Sequence, residues 1–454
     1  MRRVLVANRG EIAVRIIRAA RDLGLEAVAV YSEADTEAPH VRMADQAVPI
    51  GPPPAGKSYL DIGAIVEAAR SSGAEGVHPG YGFLAERAEF AAAVEDAGLR
   101  FIGPKPEHIA LMGDKARARE AAQDAGVPTI PGSDGAVADA DEAAAVADEI
   151  GYPVALKAAG GGGGRGIRIV HDADAVHANY KTAAGEAASA FDDARVYVER
   201  FVTPARHVEV QVLGDGEHAI HLYERECSLQ RRRQKVVEES PAPGLSDAVR
   251  SGLHEAAVAL CDAIGYRSAG TVEFLVDAER GEFFFIEMNT RIQVEHPVTE
   301  LVTGVDLVAE QLRIAAGEAL RPRQADVVPR GCALELRINA EDPANKFMPS
   351  PGPLDRVVLP AGPWVRVDTW MEPGGEVAPF YDSLLGKVIV WADDRDTALA
   401  RARRALSELE VEGVKTTAPL LATLLDEDWF GDGTFDTGTL ERWLEDTTTR
   451  STGA

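Results

Sequence analysis

The stretch from Thr271 to His296 restricts the fold more than any other part of the chain. TVEFLV (271–276) and EFFFIEM (282–288) are strand-like runs joined by DAERG, a five-residue connection of the kind that closes a hairpin. The second run continues as EMNTRIQVEH (287–296). There every odd position from 287 to 295 is polar (Glu287, Asn289, Arg291, Gln293, Glu295), and every even position from 288 to 294 is apolar or Thr. An extended backbone sends alternate residues to opposite faces, so this pattern gathers two acids, two amides and an arginine on one face. A half-buried strand with a wet polar face is the plain alternative. The preceding Phe283-Phe284-Phe285-Ile286 has no polar face and reads as buried on both sides. A carboxylate such as Glu287 emerging from a buried strand needs a cation or several donors to offset its desolvation.

Pairing 276 with 282 sets 273 opposite 285 and 271 opposite 287. Glu273 and Glu287 are then diagonal neighbours on one face, roughly 7–8 Å apart at the backbone. With Asn289 beside them, this all-oxygen set suits Mg²⁺ or Mn²⁺, which are held by a couple of carboxylates, water and substrate phosphates. Everything here depends on register, because a slip of one residue moves each side chain to the other face.

At 454 residues, 46% of them apolar, the chain is too long for one core and implies two to four domains. No apolar run approaches the ~18 residues of a membrane span. The start, MRRVLVANRGE, lacks the apolar stretch and small-residue cleavage site of a signal peptide. Cys227, Cys261 and Cys332 have no metal-ligand spacing, which argues against a disulfide framework or zinc site and for a reducing cytoplasm. Cys227, close to the motifs below, reads as a buried structural thiol. The net charge of −26 disfavours nucleic acid as a partner. Only nine lysines stand against 38 arginines, and Lys115, Lys157 and Lys235 all fall inside motifs where a compact ammonium suits a phosphate.

The order of elements predicts α/β and α+β architecture. VLVAN (4–8), a helix over about 11–23 and AVAVYS (27–32) form a βαβ unit and imply a doubly wound parallel sheet. Strand-like pieces at 75–78 and 98–102 extend that domain over 1–115. NRGEIA (8–13) is not the G-x-G-x-x-G of a dinucleotide site. Residues 116–330 read as a second domain, with a small unit over 131–203 built from strands at 152–159, 166–170 and 195–200. ALELRINAED, VRVDT and SLLGKVIVWA suggest an antiparallel C-terminal domain over 331–445, and 446–454 a disordered tail.

Lys157 and the glycines 160–164, including Gly162, Gly163 and Gly164, join two strands of the small unit. Bare backbone N–H groups in such a loop can approach phosphate oxygens, and Lys157 adds charge. This is not a Walker loop, and a flexible linker is the alternative for any glycine run. Glu199, Arg200, Phe201 and Val202 end the last strand there, where a hinge backbone could pair with a purine edge. His207, in the alternating RHVEVQVLGDG (206–216), is available to a ribose hydroxyl or is an ordinary partly buried histidine. Arg231, Arg232, Arg233 and Lys235 make a local basic cluster, either a solvated face or a phosphate site.

Together these pieces resemble the ATP-grasp superfamily and, within it, the biotin carboxylase subunits of biotin-dependent acyl-CoA and pyruvate carboxylases. The resemblance spans nearly the whole chain: ANRGEIAVRIIRAA, HPGYGFLAE (78–86), MGDK (112–115), KAAGGGGGRGIR, RHVEVQVLGDG, QRRRQKVVEESPAP, EMNTRIQVEHPVTE and LRINAEDP (336–343). It implies an ATP-grasp fold in which Lys115, Lys157, Gly162–Gly164, Glu199, Arg200, Phe201, Val202 and His207 hold ATP, with Gln230 near the ribose. Lys235 would approach the γ-phosphate and bicarbonate. Glu273, Glu287 and Asn289 would carry two Mg²⁺ or Mn²⁺ ions. Arg291, Gln293 and the Val294 backbone would seat bicarbonate, Glu295 would be the general base, and Arg337 would face the biotin ureido oxygen. The resemblance implies a role for Arg233 against the phosphates, at a position where members of that family often carry His.

The implied partners are a biotin carboxyl carrier protein and a carboxyltransferase subunit, with biotin as substrate on the carrier. The implied assembly is a homodimer. No biotin-attachment Met-Lys motif follows, as expected of a free-standing subunit. Two rivals share parts of the pattern. Another ATP-grasp carboxylate ligase would keep the lid and metal acids but not RIQVEHP or the LRINAEDP arginine. A non-catalytic ATP-binding scaffold would not need a candidate at every catalytic position.

Overall fold

Val4, Leu5 and Val6 have no exposed surface, and Leu5 and its neighbours face opposite cores, as the first strand of a doubly wound sheet requires. In the computed structural model, which describes residues 1–158, 167–191 and 195–452, this sheet is wholly parallel. Its order is Gln46–Gly51, Glu26–Ser32, Arg3–Val6, Gly76–His78, Arg100–Phe101. The first of these is a strand the sequence patterns did not single out. The helix Gly10–Asp22 covers one face through Ile12, Ile16, Ala19 and Ala20. Its stripe reaches Leu213, Ile220 and Leu222 of a second sheet, and Ile292 of the loop that follows the hairpin. Gly80 (φ 62°) sits where a Cβ would meet the Asn8 amide at 2.9 Å, and Asn8 Nδ2 donates to Pro79 O and Tyr81 O, pinning the loop above the sheet.

The second sheet has eight strands. Their order is Glu282–Asn289, Arg267–Asp277, Arg206–Asp215, Ala219–Glu226, Val237–Ser240, Cys332–Asn339, Leu384–Ala392, Val365–Thr369. The hairpin read from the sequence is at one edge. The pieces assigned to a C-terminal domain lie at the other, and Val237–Ser240 pairs antiparallel with Cys332–Asn339, so the sheet runs on through residue 331. Leu334, Leu336 and Ile338 point into one core with Val388, Val390 and the helix Arg395–Glu408. Ala333 and Ile389 point the other way, onto Val298 and Val302 of the helix His296–Thr303. That second face also carries Glu335, Arg337 and Lys387, because residues two apart share a side.

Contacts divide the chain into a larger unit (1–127, 206–274, 287–454) and a smaller one (128–205, 275–286). In the smaller unit Val154–Ala158 lies between Ile167–Val170 and Val196–Arg200, antiparallel to both, under the helices Ala140–Ile150 and Val176–Phe191. The hairpin tip belongs to this unit. Phe285 N donates to Pro128 O at 2.7 Å, and Phe284 packs with Val202 and Ala205. The run Phe283–Ile286 is not buried on both sides as expected, since Ile286 is 39% exposed. Strand pleating turns alternate residues outward where only one side is covered. The glycines 160–164 lie outside the described residues.

The last helix, Thr439–Thr452, runs into the segment read as a disordered tail. Leu440 is buried, and Trp443 and Leu444 pack on the core, so the first turns are anchored and the helix continues from them. Among the described residues no helix is long and apolar enough to cross a membrane. Leu334 is opposite Val390 and unexposed. Leu334→Ala should therefore destabilise the large sheet by about 2–5 kcal/mol, read as a lowered midpoint in urea unfolding of the larger unit.

Candidate active site

The hairpin strand ends at Asn289, so the one-face argument holds only for Glu287 and Asn289. Thr290 N leaves the ladder to donate to Glu86 Oε1 (3.2 Å), and Ile292 is drawn into the core beneath the helix Gly10–Asp22. His296 closes the turn, with its N–H and Nδ1 both on Gln293 O (3.4 and 2.7 Å), and Pro297 opens the next helix. Arg291, Gln293 and Glu295 therefore sit on an irregular loop. It still brings the odd residues to one place.

At the centre is the Lys235 ammonium. Nζ lies 2.5 Å from Glu209 Oε2, 2.6 Å from Glu295 Oε1 and 3.2 Å from Glu273 Oε1. Lys235 comes from a two-residue ladder, Gln230–Arg231 with Gln234–Lys235, closed by Arg232 and Arg233 at φ 49° and 68°. Left-handed turns match the twist of tight hairpins, yet non-glycine residues adopt them at a cost. Arg233 is exposed on that turn. Glu209 and Glu273 come from neighbouring strands.

Glu273 is saturated with donors. Oε1 also accepts from Asn289 Nδ2 (2.8 Å) and Gln293 Nε2 (2.9 Å), and His207 Nε2 lies 2.9 Å from Oε2 as an ionic contact without hydrogen-bond alignment. Burial opposes its charge, but Lys235 and His207 outweigh that and hold Glu273 below the usual carboxylate range. His207 Nδ1 meets Gln230 Nε2 at 2.5 Å. Asn289 Oδ1 accepts from Arg291 Nη2 (2.8 Å), while Arg291 Nε donates to Glu86 (2.8 Å). One amide thus links the acids to the arginine.

Beneath this layer lies Arg225, with no exposed surface. It donates to Glu209 (2.6 Å), Gln211 (2.6 Å), Gln293 Oε1 (2.8 Å), Thr299 (2.9 Å) and Thr271 (3.1 Å). Its bond to Gln293 Oε1 leaves Nε2 for Glu273, which fixes the amide orientation. Glu295 has a second cation in Arg337, whose Nη2 is 3.0 Å from Oε2. Burial would raise the proton affinity of Glu295, but Lys235, Arg337 and Arg225 hold it well below the ordinary value. The Val294 carbonyl accepts from the buried Lys387 Nζ (2.6 Å), which also lies 3.2 Å from Glu11. Tyr81 in turn bonds Glu11.

Glu287 is half-buried, and its proton affinity is raised by burial and by Glu273, with Lys115 opposing. Two carboxylates that repel one another, with an amide beside them, fit a hard divalent cation. Its charge would remove the repulsion that Lys115 only partly offsets. In the smaller unit Lys157 and Glu199 form an ion pair. Arg200 is bound to Asp277 (3.1 Å) and Glu282 (2.7 Å). Its N–H and that of Phe201 are taken by Pro131 O and Pro153 O, at 2.8 Å each, so neither is a donor toward a base. Cys227, Cys261 and Cys332 are buried free thiols.

The sequence reading missed Glu209, Arg225, Glu86, Glu238, Glu335 and Lys387. A signal for some of them exists. In RHVEVQV, His207, Glu209 and Gln211 alternate with valine, and in ALELRIN Glu335 and Arg337 alternate with leucine and isoleucine, so each set shares one face.

Comparison with known proteins decides the family. Residues 1–109 match the biotin carboxylase N-terminal domain, 114–323 the ATP-binding domain of the carbamoyl-phosphate synthase L chain, and 335–442 the biotin carboxylase C-terminal domain. The chain belongs to the biotin carboxylase family. It is an ATP-grasp ligase. The biotin carboxylase of Pseudomonas aeruginosa is 55% identical over 98% of this chain and 99% of its own. The biotin carboxylase domain dimer of Hydrogenobacter thermophilus 2-oxoglutarate carboxylase, solved with MgADP, ADP and bicarbonate, is 50% identical, covers 97% of each chain and superposes with a TM-score of 0.86. The biotin carboxylase subunit of a pyruvate carboxylase is 50% identical, covers 98% of each chain and gives 0.90.

In this biotin carboxylase fold Arg225 ties five residues from strands, a loop and a helix together. Arg225→Met should cost about 3–5 kcal/mol, because it leaves Glu209 buried without that cation. Denaturant unfolding of the variant checks this.

Proposed function

We propose that the chain carboxylates biotin borne on a carrier protein, using ATP and bicarbonate through carboxyphosphate, and hands the product to a carboxyltransferase that chooses the final acceptor. The observation that carries the reading is the row Lys235–Glu295–Arg337, a buried base flanked by one cation for phosphate and one for biotin. In the smaller unit Lys157, Gly162–Gly164, Glu199 and Val202, and in the larger Lys115, His207 and Gln230, are the proposed nucleotide residues. Glu273, Glu287 and Asn289 are proposed to hold Mg²⁺ or Mn²⁺, which when bound would neutralise phosphate charge.

Bicarbonate is a weak nucleophile, and Glu295 takes its proton while Arg291, Gln293 and the Val294 N–H keep the anion bound. A bicarbonate oxygen attacks the γ-phosphorus as the bond to ADP breaks. Carboxyphosphate then yields CO₂ and phosphate, phosphate takes the ureido N–H proton, and Arg337 stabilises the biotin enolate that captures CO₂. Glu295 begins as a poor base because Lys235 and Arg337 hold its charge. Phosphate competes for Lys235, and as the ammonium turns toward it Glu295 regains basicity. Exclusion of water protects carboxyphosphate from hydrolysis. A cytoplasmic homodimer is part of this proposal.

ATP turnover that requires bicarbonate and rises with free biotin tests the reading, and a folded, nucleotide-binding protein that biotin leaves unstimulated would sink it. Glu295→Gln or Arg337→Ala should lower the biotin-stimulated rate by roughly 10²–10³. Glu287→Gln should weaken Mg²⁺-dependent ADP binding, measured calorimetrically, by at least the roughly 10–100-fold that losing a supporting partner costs.

A further inference from the structure

Two fully buried glutamates stand directly opposite one another on paired strands. Glu238 of Val237–Ser240 is the cross-strand partner of Glu335 of Cys332–Asn339, and both are 0% exposed. Like charges in that position repel, and burial adds a desolvation cost. Both Glu335 oxygens and Glu238 Oε2 have no hydrogen-bond partner among the described residues, and Glu238 Oε1 has only the Arg337 ion pair, which is rare for buried polar atoms and demands a cause. Arg337 lies against Glu238 as an ion pair and bonds Glu295 on its other side. Lys387 is cross-strand to Arg337.

The charged groups facing the pair are therefore Arg337 from the strand of Glu335, Lys387 from the next strand, Glu295 from the start of the helix packed over this face, and Lys235 from the hairpin. With every acid ionised, Arg337 would face Glu238, Glu295 and Glu335 with a single positive charge. Burial, the largest cause, pushes Glu335 well up, against Lys387 and with Glu238 adding to it. Glu238 is pushed up to about 7 by burial, against Arg337.

We propose that Glu238 and Glu335 share one proton in the resting protein, an O–H···O pair that supplies the hydrogen bond both lack and sets the charge that holds Arg337. The two are positioning residues that act through Arg337. Their effect on turnover rests on the reading of Arg337 as the group facing biotin, whereas the shared proton does not. Because both folded-state affinities are raised, the pair's contribution to stability is complete below the unfolded value near 4.5, declines as pH rises through about 7 where the first proton leaves Glu238, and is lost at higher pH as the shared proton leaves. Above that, the second carboxylate appears and draws Arg337 away from the substrate side.

Infrared spectra of protein labelled with ¹³C at the glutamate carboxyl should show a protonated-carboxyl band at neutral pH. That band should titrate away on the alkaline side and be missing from Glu335→Gln. In the wild type, kcat/KM for biotin should fall along the same titration, and Glu335→Gln, which leaves Glu238 as the single, already ionised carboxylate with no shared proton to lose, should abolish that fall. The variant should also gain stability relative to wild type as pH rises across the window. Absence of the band from wild type, or an alkaline fall that persists in folded Glu335→Gln, overturns the proposal. A titrating band in a protein that biotin never stimulates overturns the biotin reading and leaves the shared proton standing. If Glu335→Gln does not fold, the wild-type band still decides.

Discussion

A single ammonium holds the site together. Lys235 is shared by Glu209, Glu273 and Glu295, none of which is appreciably exposed. Three buried carboxylates within reach of one another are tolerable only with cations among them, since an unpaired buried charge costs far more than a hydrogen bond returns. Arg225 and Arg337 complete the balance from below and from the side. Such a network needs precise supply lines, and the fold provides them: Glu209 and Glu273 on adjacent strands, Lys235 on a strained hairpin, Glu295 at the start of a helix whose other end packs on the sheet.

The same balance explains why the reactive loop is irregular. A strand continued through residue 295 would send alternate residues to one face at a fixed spacing, and its backbone would be committed to the ladder. By leaving the ladder at Thr290, the chain frees the Val294 peptide. Its carbonyl is then tied to Lys387 and through it to Glu11 of the first helix. Residues 11, 81, 225, 294, 337 and 387 all converge, so the N-terminal sheet and the far edge of the second sheet are parts of one larger unit.

Local patterns carried much of this. The βαβ start, the hairpin and the three-stranded smaller unit were legible because their strands show period-two alternation or apolar runs bounded by turn residues. The acids of EMNTRIQVEH were legible as a set, but the break after Asn289 was not. It is caused by Glu86, distant in sequence, and by the burial of Ile292 under a helix near the N-terminus. The run of the sheet through residue 331 was equally hidden, because the pairing of Glu238 with Glu335 joins segments almost a hundred residues apart. Arg225 was invisible for another reason. In HLYEREC a charged residue looks like surface, and only the polar faces of its neighbours reveal that it is the innermost residue of the site.

These placements bear on how two reactants are kept in order. In the resting arrangement Glu295 has its charge satisfied twice, and a satisfied carboxylate is a weak base. Bicarbonate alone brings nothing that displaces Lys235. Under the proposed function a triphosphate would, because its terminal oxygens carry more negative charge than any one carboxylate and are accessible to a flexible four-carbon stem. On that reading, deprotonation of bicarbonate would be tied to the presence of the phosphoryl group it is to attack. Such a coupling would need no large movement, only the transfer of one ammonium among acceptors a few ångströms apart, with Arg337 remaining on Glu295 to keep the loop in place.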